Sequence, residues 1–170
     1  NVGETKRQGL ELALSGLAAD QRLSWFFNYT YLEATFEEAI ELSSPNNPFG
    51  EGGEINVSPG DRLPGVPEST IKAGLSYAFT PKLTLGGNIQ HVSDVVLRGD
   101  ESNLDKPIDS YVVVDARGEY AVTDRFKVFA KVTNLFDEEY ETFGLYGEAD
   151  EVLGGEEEED DDDEEEEEGS

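Results

Sequence analysis

Apolar residues recur at every second position through most of this chain, and that period restricts its fold more than any other feature. From Ser69 onward, Ile71, Ala73, Leu75, Tyr77 and Phe79 share one parity, and Thr70, Lys72, Gly74 and Ser76 share the other. After Thr80-Pro81-Lys82 the alternation resumes, with Leu83, Leu85, Gly87 and Ile89 against Thr84, Gly86, Asn88 and Gln90. Successive side chains of a strand point to opposite faces, whereas a helix repeats every ~3.6 residues. The same rhythm predicts strands over 7–15, 23–36, 69–79, 83–92, 110–120 and 126–134. Each carries one apolar face: Leu10, Leu12 and Leu14 in the first, Trp25, Phe27, Tyr29 and Tyr31 in the second, Val112, Val114 and Tyr120 in the fifth. Phe26 is an exception, an aromatic on the polar parity.

The connections alternate in length. Residues 17–22, 80–82 and 121–125 are short turns; 37–68, 93–109 and everything after 136 are long. Up-and-down antiparallel strands place all short turns at one end and all long loops at the other. Several Pro and Gly breakers keep 37–68 from being a strand throughout. The expected fold is all-β, an antiparallel up-and-down meander of about six strands.

Alternation fits two environments. A water-soluble sandwich or barrel turns its apolar residues inward and binds an apolar ligand there; its core would be Leu75, Tyr77, Ile89 and Val128. A membrane barrel turns them to lipid and its polar residues to an aqueous or plugged lumen. Three features favour the membrane. Several strands reach the roughly 9–11 residues that a tilted spanning strand needs. Trp25, Tyr29, Tyr31, Tyr77, Phe79 and Tyr120 gather toward strand ends, as interfacial girdles do. Short turns at one end and long loops at the other match such barrels. The opposite parity then faces the lumen: Arg7, Glu11, Lys72, Asn88, Gln90, Asp115, Arg117, Glu119, Lys127 and Lys131.

Composition removes other classes. The 170 residues include no Cys, so disulfides, thiolate metal sites and Cys nucleophiles are out. His91 is the single histidine, too few for a conventional zinc site or a persuasive catalytic triad, and no enzyme or cofactor is expected. Gly86-Gly87 opens no helix and lacks the Lys of a phosphate loop. The net charge is -27, of which Glu156 to Glu168 supply thirteen consecutive acids. With no basic patch to displace phosphate counterions, nucleic acid is excluded as a partner. The acidic run cannot bury itself; it is expected to be disordered and at most to hold divalent cations diffusely.

Several stretches carry a resemblance. "KVTNLFDEEYETFG" (131–144) ends a strand in Asn134, Leu135, Phe136 and Asp137 and follows it with Tyr140. "TKRQGLELAL", "LPGVPESTIKAGLSY", "LRGDESN" and "IDSYVVVDARGEY" precede it in order. Together they resemble the C-terminal barrel region of TonB-dependent outer-membrane receptors. The resemblance implies a bacterial outer-membrane location and a parent barrel of about 22 strands around a plug. It divides the chain into a partial barrel, 1–144, and an acidic extracellular loop or tail, 145–170, with the plug, the coupling segment and the final strand missing from this piece. It implies uptake of a scarce nutrient, such as a ferric siderophore, another metal chelate or a carbohydrate, by gating coupled to the TonB complex through the missing N-terminal region. The candidate ligand contacts are loop residues Asn46, Asn47, Arg62, Arg98, Asp100, Glu101 and Asn103. A structural or adhesive surface barrel without transport is the remaining alternative.

Overall fold

The structure is a computed structural model and describes residues 3–147. Its strands are β1 (Thr5–Ala18), β2 (Leu23–Phe36), β3 (Ile40–Ser43), β4 (Glu54–Val57), β5 (Ser69–Ala78), β6 (Leu83–Val92), β7 (Tyr111–Thr123) and β8 (Phe126–Val132). Six form one antiparallel sheet in the order β1-β2-β5-β6-β7-β8, the expected meander. The sheet is open, with β1 and β8 at its edges. β3 and β4 pair as a separate hairpin inside the long loop 37–68, a pair of four-residue strands that the alternation did not reveal.

Register carries the two parities across the whole sheet. Leu14, Phe27, Ala73, Ile89 and Val114 oppose one another in a single row. Trp25, Leu75, Gly87, Ala116 and Val132 make the next. The opposite face has rows such as Asn28, Lys72 and Gln90, and Ser24, Ser76, Gly86, Arg117 and Lys131. A one-residue slip anywhere would send apolar side chains to the polar face, so the pattern itself fixes the pairing. Phe26 stands on the polar face because its cross-strand partner is Gly74. A Cβ on Gly74 would lie 2.5 Å from the Phe26 ring. The aromatic thus fills the space its neighbour leaves.

Among the described residues, none covers the apolar face. Leu10 is 61% exposed, Leu75 54%, Val128 48% and Ile89 42%. The soluble-barrel alternative is therefore corrected: the core it requires from Leu75, Ile89 and Val128 is not formed. What is buried lies instead at the long-loop end. Phe36, Ile55, Val57, Val92, Val95, Val96 and Ile108 pack there, where strand ends meet the β3–β4 hairpin and the loop 93–110.

Strand limits shift where pairing overrides local pattern. β1 exceeds the expected 7–15 at both ends because β2 pairs with it from Phe36 opposite Thr5 to Leu23 opposite Ala18. β7 runs past 120 to Thr123 through an irregular register beside β8. β8 stops at Val132, short of 134, because Asn134 takes a φ of 50° and turns the chain. At the short-turn end Arg22 acts as a staple: its Nε donates to the Ala78 carbonyl at 2.9 Å and its Nη2 to that of Phe79 at 2.6 Å. Its guanidinium also lies 5.2 Å from the centre of the Tyr77 ring. Just past the boundary expected after 144, Leu145 bridges to Arg98. The acidic run lies outside the described residues.

Candidate functional site

The long loops interlock at one end of the sheet. Gly99 takes a φ of 91°, and a Cβ there would lie 3.3 Å from Tyr146, so only glycine fits comfortably. Its carbonyl accepts from Ser44 Oγ at 2.8 Å and Asn47 Nδ2 at 2.7 Å. Next to it Asp100 is wholly buried and accepts from Ser102 Oγ, Leu104 N and Asp105 N. Asn103 Oδ1 accepts from Arg62 N at 2.8 Å while its Nδ2 donates to the Arg62 carbonyl at 3.0 Å. Arg62 in turn reaches Asp94 at 2.6 Å and Glu68 at 3.4 Å. The segment after β8 joins through Arg98: its N donates to the Gly144 carbonyl, and its carbonyl accepts from Tyr146 N.

These contacts sort the expected ligand residues. Asp100 and Asn47 are buried, and their polar atoms are taken up inside the loops. Asn103 and Arg62 are half-buried and tie loop to loop. Asn46 is exposed but lies apart from the cleft described next. Arg98 and Glu101 remain, and the structure brings them to Arg7 of β1. With Thr5, Phe36, Leu42, Leu63 and Pro64 they line a cleft of about 470 Å³. Arg7 opposes Ala34 on the polar parity, so the cleft opens at the loop end of the polar face. Among the described residues neither Arg7 nor Arg98 makes an ion pair. Arg7 donates to Thr5 Oγ1 at 3.4 Å, and the Arg98 guanidinium lies 5.5 Å from the centre of the Phe143 ring. Two guanidiniums without ion-pair partners, with Glu101 and apolar walls beside them, can hold an anion that has an apolar body.

The rest of the polar set is partly paired. Lys127 meets Glu119 at 2.8 Å, Asn88 donates to Asp115 at 3.3 Å, and Lys131 stands 3.9 Å from Asp115. Glu11, Lys72, Gln90 and Arg117 lie on the same face without such ion pairs among the described residues. On the other face, Trp25, Tyr77, Phe79 and Tyr120 sit at the short-turn end and Tyr31, with Tyr29 one row inside it, at the loop end. Tyr77 and Phe79 pack edge to face, 4.8 Å between centroids.

The Asn-Leu-Phe-Asp motif proves to be a turn. Asn134 and Asp137 both take positive φ, Asn134 Nδ2 donates to the Glu138 carbonyl and Asn134 Oδ1 accepts from Glu138 N. Asn tolerates this conformation and its amide bonds locally, which is why Asn recurs at such a place. Leu135 N donates to the Val114 carbonyl, and Tyr140 stacks on Tyr111 at 4.2 Å, so the turn is tied back to β7. Asp105 carries a pH response. The Tyr146 hydroxyl and the Lys106 amide donate to its carboxylate and hold it below its ordinary value of 3.8. Burial, then this bond, pushes the Tyr146 phenol above its ordinary 10.0. A depressed carboxyl stabilises above its unfolded value and loses that as pH falls through the folded one; a raised phenol stabilises below its unfolded value and loses that as pH rises. Docking of 145–147 on the loop 93–110 is therefore expected to persist between these limits and to loosen below about 4 and above about 10. Amide exchange at Tyr146 N, measured against pH after correction for intrinsic rates, reads it out; protection independent of pH would contradict the assignment.

Known proteins share this architecture. Residues 1–135 match the family model described as TonB dependent receptor-like, beta-barrel. A protein of Acinetobacter baumannii named probable TonB-dependent siderophore receptor PiuA is 31% identical over 144 residues, 84% of this chain and 18% of that protein. An iron-regulated outer membrane virulence protein of Vibrio cholerae is 30% identical over 116 residues, 66% of this chain and 18% of that one. Among solved structures, the siderophore receptor PiuA from Acinetobacter baumannii superposes with a TM-score of 0.69 at 27% identity, covering 86% of this chain and 20% of that one. The ferric-catecholate import receptor Fiu of E. coli, in its closed form, superposes at 0.62 and 21% identity, covering 83% and 18%, and supports the fold alone. The chain belongs to the TonB-dependent receptor β-barrel family, whose members are outer-membrane receptors and not enzymes. It spans about a fifth of the length of the relatives it matches.

Proposed function

We propose that the chain is part of the wall of an outer-membrane importer that takes up an anionic metal chelate, of the ferric-siderophore kind, by gating coupled to the TonB complex. The Arg7–Arg98 cleft carries the reading, because it offers two cations without ion-pair partners among the described residues, beside Phe36, Leu42, Leu63 and the single acid Glu101, in a chain that is otherwise strongly acidic. That acidity opposes long-range attraction of an anion, so capture depends on these short-range contacts. The sheet supports the setting. From Tyr31 to Leu23, whose partner is Tyr77, β2 covers roughly 27 Å along the strand, or about 20 Å along a barrel axis at ordinary tilt, near the ~25 Å apolar band of outer-membrane barrels. The apolar parity is then assigned to lipid and the polar parity to the lumen. The relative named a siderophore receptor points to the same ligand class. In the full-length receptor, Arg7→Glu with Arg98→Glu is expected to weaken binding of an anionic ferric chelate at least ~10-fold, equal to about 1.4 kcal/mol, with little change for a neutral carbohydrate. Equal affinity in the charge-reversed receptor would remove the cleft from the ligand path.

A further inference from the structure

Arg98 is the loop cation of the cleft, and the chain wraps it closely. The segment after β8 clamps its backbone: Arg98 N donates to the Gly144 carbonyl at 3.0 Å, the Arg98 carbonyl accepts from Tyr146 N at 2.9 Å, and Leu145 forms a parallel bridge with it. That segment lies tight against the loop, since a Cβ on Gly144 would stand 2.8 Å from the Leu97 side chain and 3.1 Å from that of Ile108. It brings the Phe143 ring to the Arg98 side chain, with the guanidinium carbon 5.5 Å from the ring centre. The turn at Gly65 approaches as well. Its N donates to the Val96 carbonyl, and Arg98 Nε lies 3.7 Å from the point that a Gly65 Cβ would occupy. Glu101 lines the same cleft, yet it accepts from Gly99 N at 3.2 Å and forms no ion pair with Arg98.

A long side chain loose in water must be ordered when a ligand binds, and that ordering weakens affinity. A guanidinium held against an aromatic ring is attracted by the ring's negative face and has given up part of that freedom beforehand. Its N–H fork matches two parallel oxygens of one anionic group, a geometry that a lysine ammonium lacks. We propose that Phe143 is a positioning residue for ligand capture: it fixes Arg98 at the cleft, so that the guanidinium takes a carboxylate-type group of the chelate through two parallel hydrogen bonds. Phe143 does not line the cleft and acts through Arg98. The inference rests on the cleft being the ligand site.

Binding of ferric citrate, whose anionic groups are carboxylates, is measured by calorimetry on the full-length receptor. Phe143→Ala is expected to weaken it by about 3–10-fold, the cost of ordering one long side chain. Phe143→Tyr keeps the ring and should keep the affinity. Phe143→Leu keeps apolar bulk without the ring and should fall with the alanine variant. In an Arg98→Gln background Phe143→Ala should have no further effect, whereas in an Arg7→Gln background its full effect should remain. Arg98→Lys should bind little better than Arg98→Gln. The Tyr146 amide should stay protected from exchange throughout, because it is bonded to the Arg98 carbonyl and not to the ring. Full affinity in Phe143→Ala would overturn the proposal. So would a loss that persists when Arg98 is already glutamine, or one that follows loss of protection at Tyr146. If Arg98→Gln itself leaves ferric citrate binding unchanged, the cleft reading fails and the positioning role with it.

Discussion

Replacing Ile89 by Arg is expected to destabilise the folded receptor in a bilayer by about 2–4 kcal/mol. Ile89 lies in the row of Leu14, Phe27, Ala73 and Val114, midway between the Tyr31 and Tyr77 levels. If that row sits at the bilayer centre, a guanidinium there has no water within reach and must snorkel or thin the membrane. Leu75, one row nearer the turns, should cost nearly as much. Val128 opposes Tyr120 close to the turns, so a charge there should cost less, because the penalty falls toward the interface. Asn88→Arg, one residue away on the polar parity and 3.3 Å from Asp115, should change stability by no more than about 0.5 kcal/mol. Reversible denaturant unfolding of the receptor in vesicles compares all four. A harmless Arg at Ile89, or equal costs at Ile89 and Asn88, would count against hydrocarbon on the apolar face.

The second large effect is expected at Asp100. Its carboxylate is the meeting point of the loop 93–110, with Leu104 N at 3.1 Å, Asp105 N at 3.0 Å and Ser102 Oγ at 3.2 Å. Asp100→Ala leaves two half-buried amides and a buried hydroxyl without an acceptor, and hydrogen bonds to a charged group contribute ~1.5–3 kcal/mol each. Loss of about 3 kcal/mol from the loop assembly, or roughly 100-fold faster amide exchange at Leu104 and Asp105, is the expected outcome. Because Gly99 beside it holds Ser44 and Asn47, the β3–β4 hairpin should loosen as well. Asp100→Asn keeps an acceptor oxygen and should recover part of the protection. Unchanged exchange in the alanine variant would show that the loops are held by their apolar cluster alone.

Most of the sheet was legible because its signal is local. Period-2 patterning gave β2 and β6 their limits, and the order of short and long connections gave the meander. Register followed from requiring one greasy face to continue across neighbours. The site was less legible, since it is built by contacts distant in sequence. Nothing in "LRGDESN" distinguishes a buried Asp100 from an exposed Glu101; the difference arises when Gly99 meets Ser44 and Asn47. Arg7 read as a lumen residue and Arg98 as a loop residue, and only the fold brings them to one cleft. β3 and β4 were missed because four-residue strands between Pro and Gly carry too few alternations. Arg22 gave no signal at all, as its partners are backbone carbonyls. The motif around Asn134 was visible as a family signature before its physical basis, a left-handed turn closed by its own amide, could be seen.

Spin labels placed one at a time from Thr84 to His91 in the full-length receptor, in vesicles, test the lipid assignment most directly. Oxygen, which concentrates in hydrocarbon, should reach Leu85, Gly87 and Ile89 best. A water-soluble nickel chelate should show the opposite phase, with any residual access at Thr84, Gly86, Asn88 and Gln90. Accessibilities that vary in phase, or a nickel chelate that reaches the Ile89 parity better than oxygen does, would contradict the account.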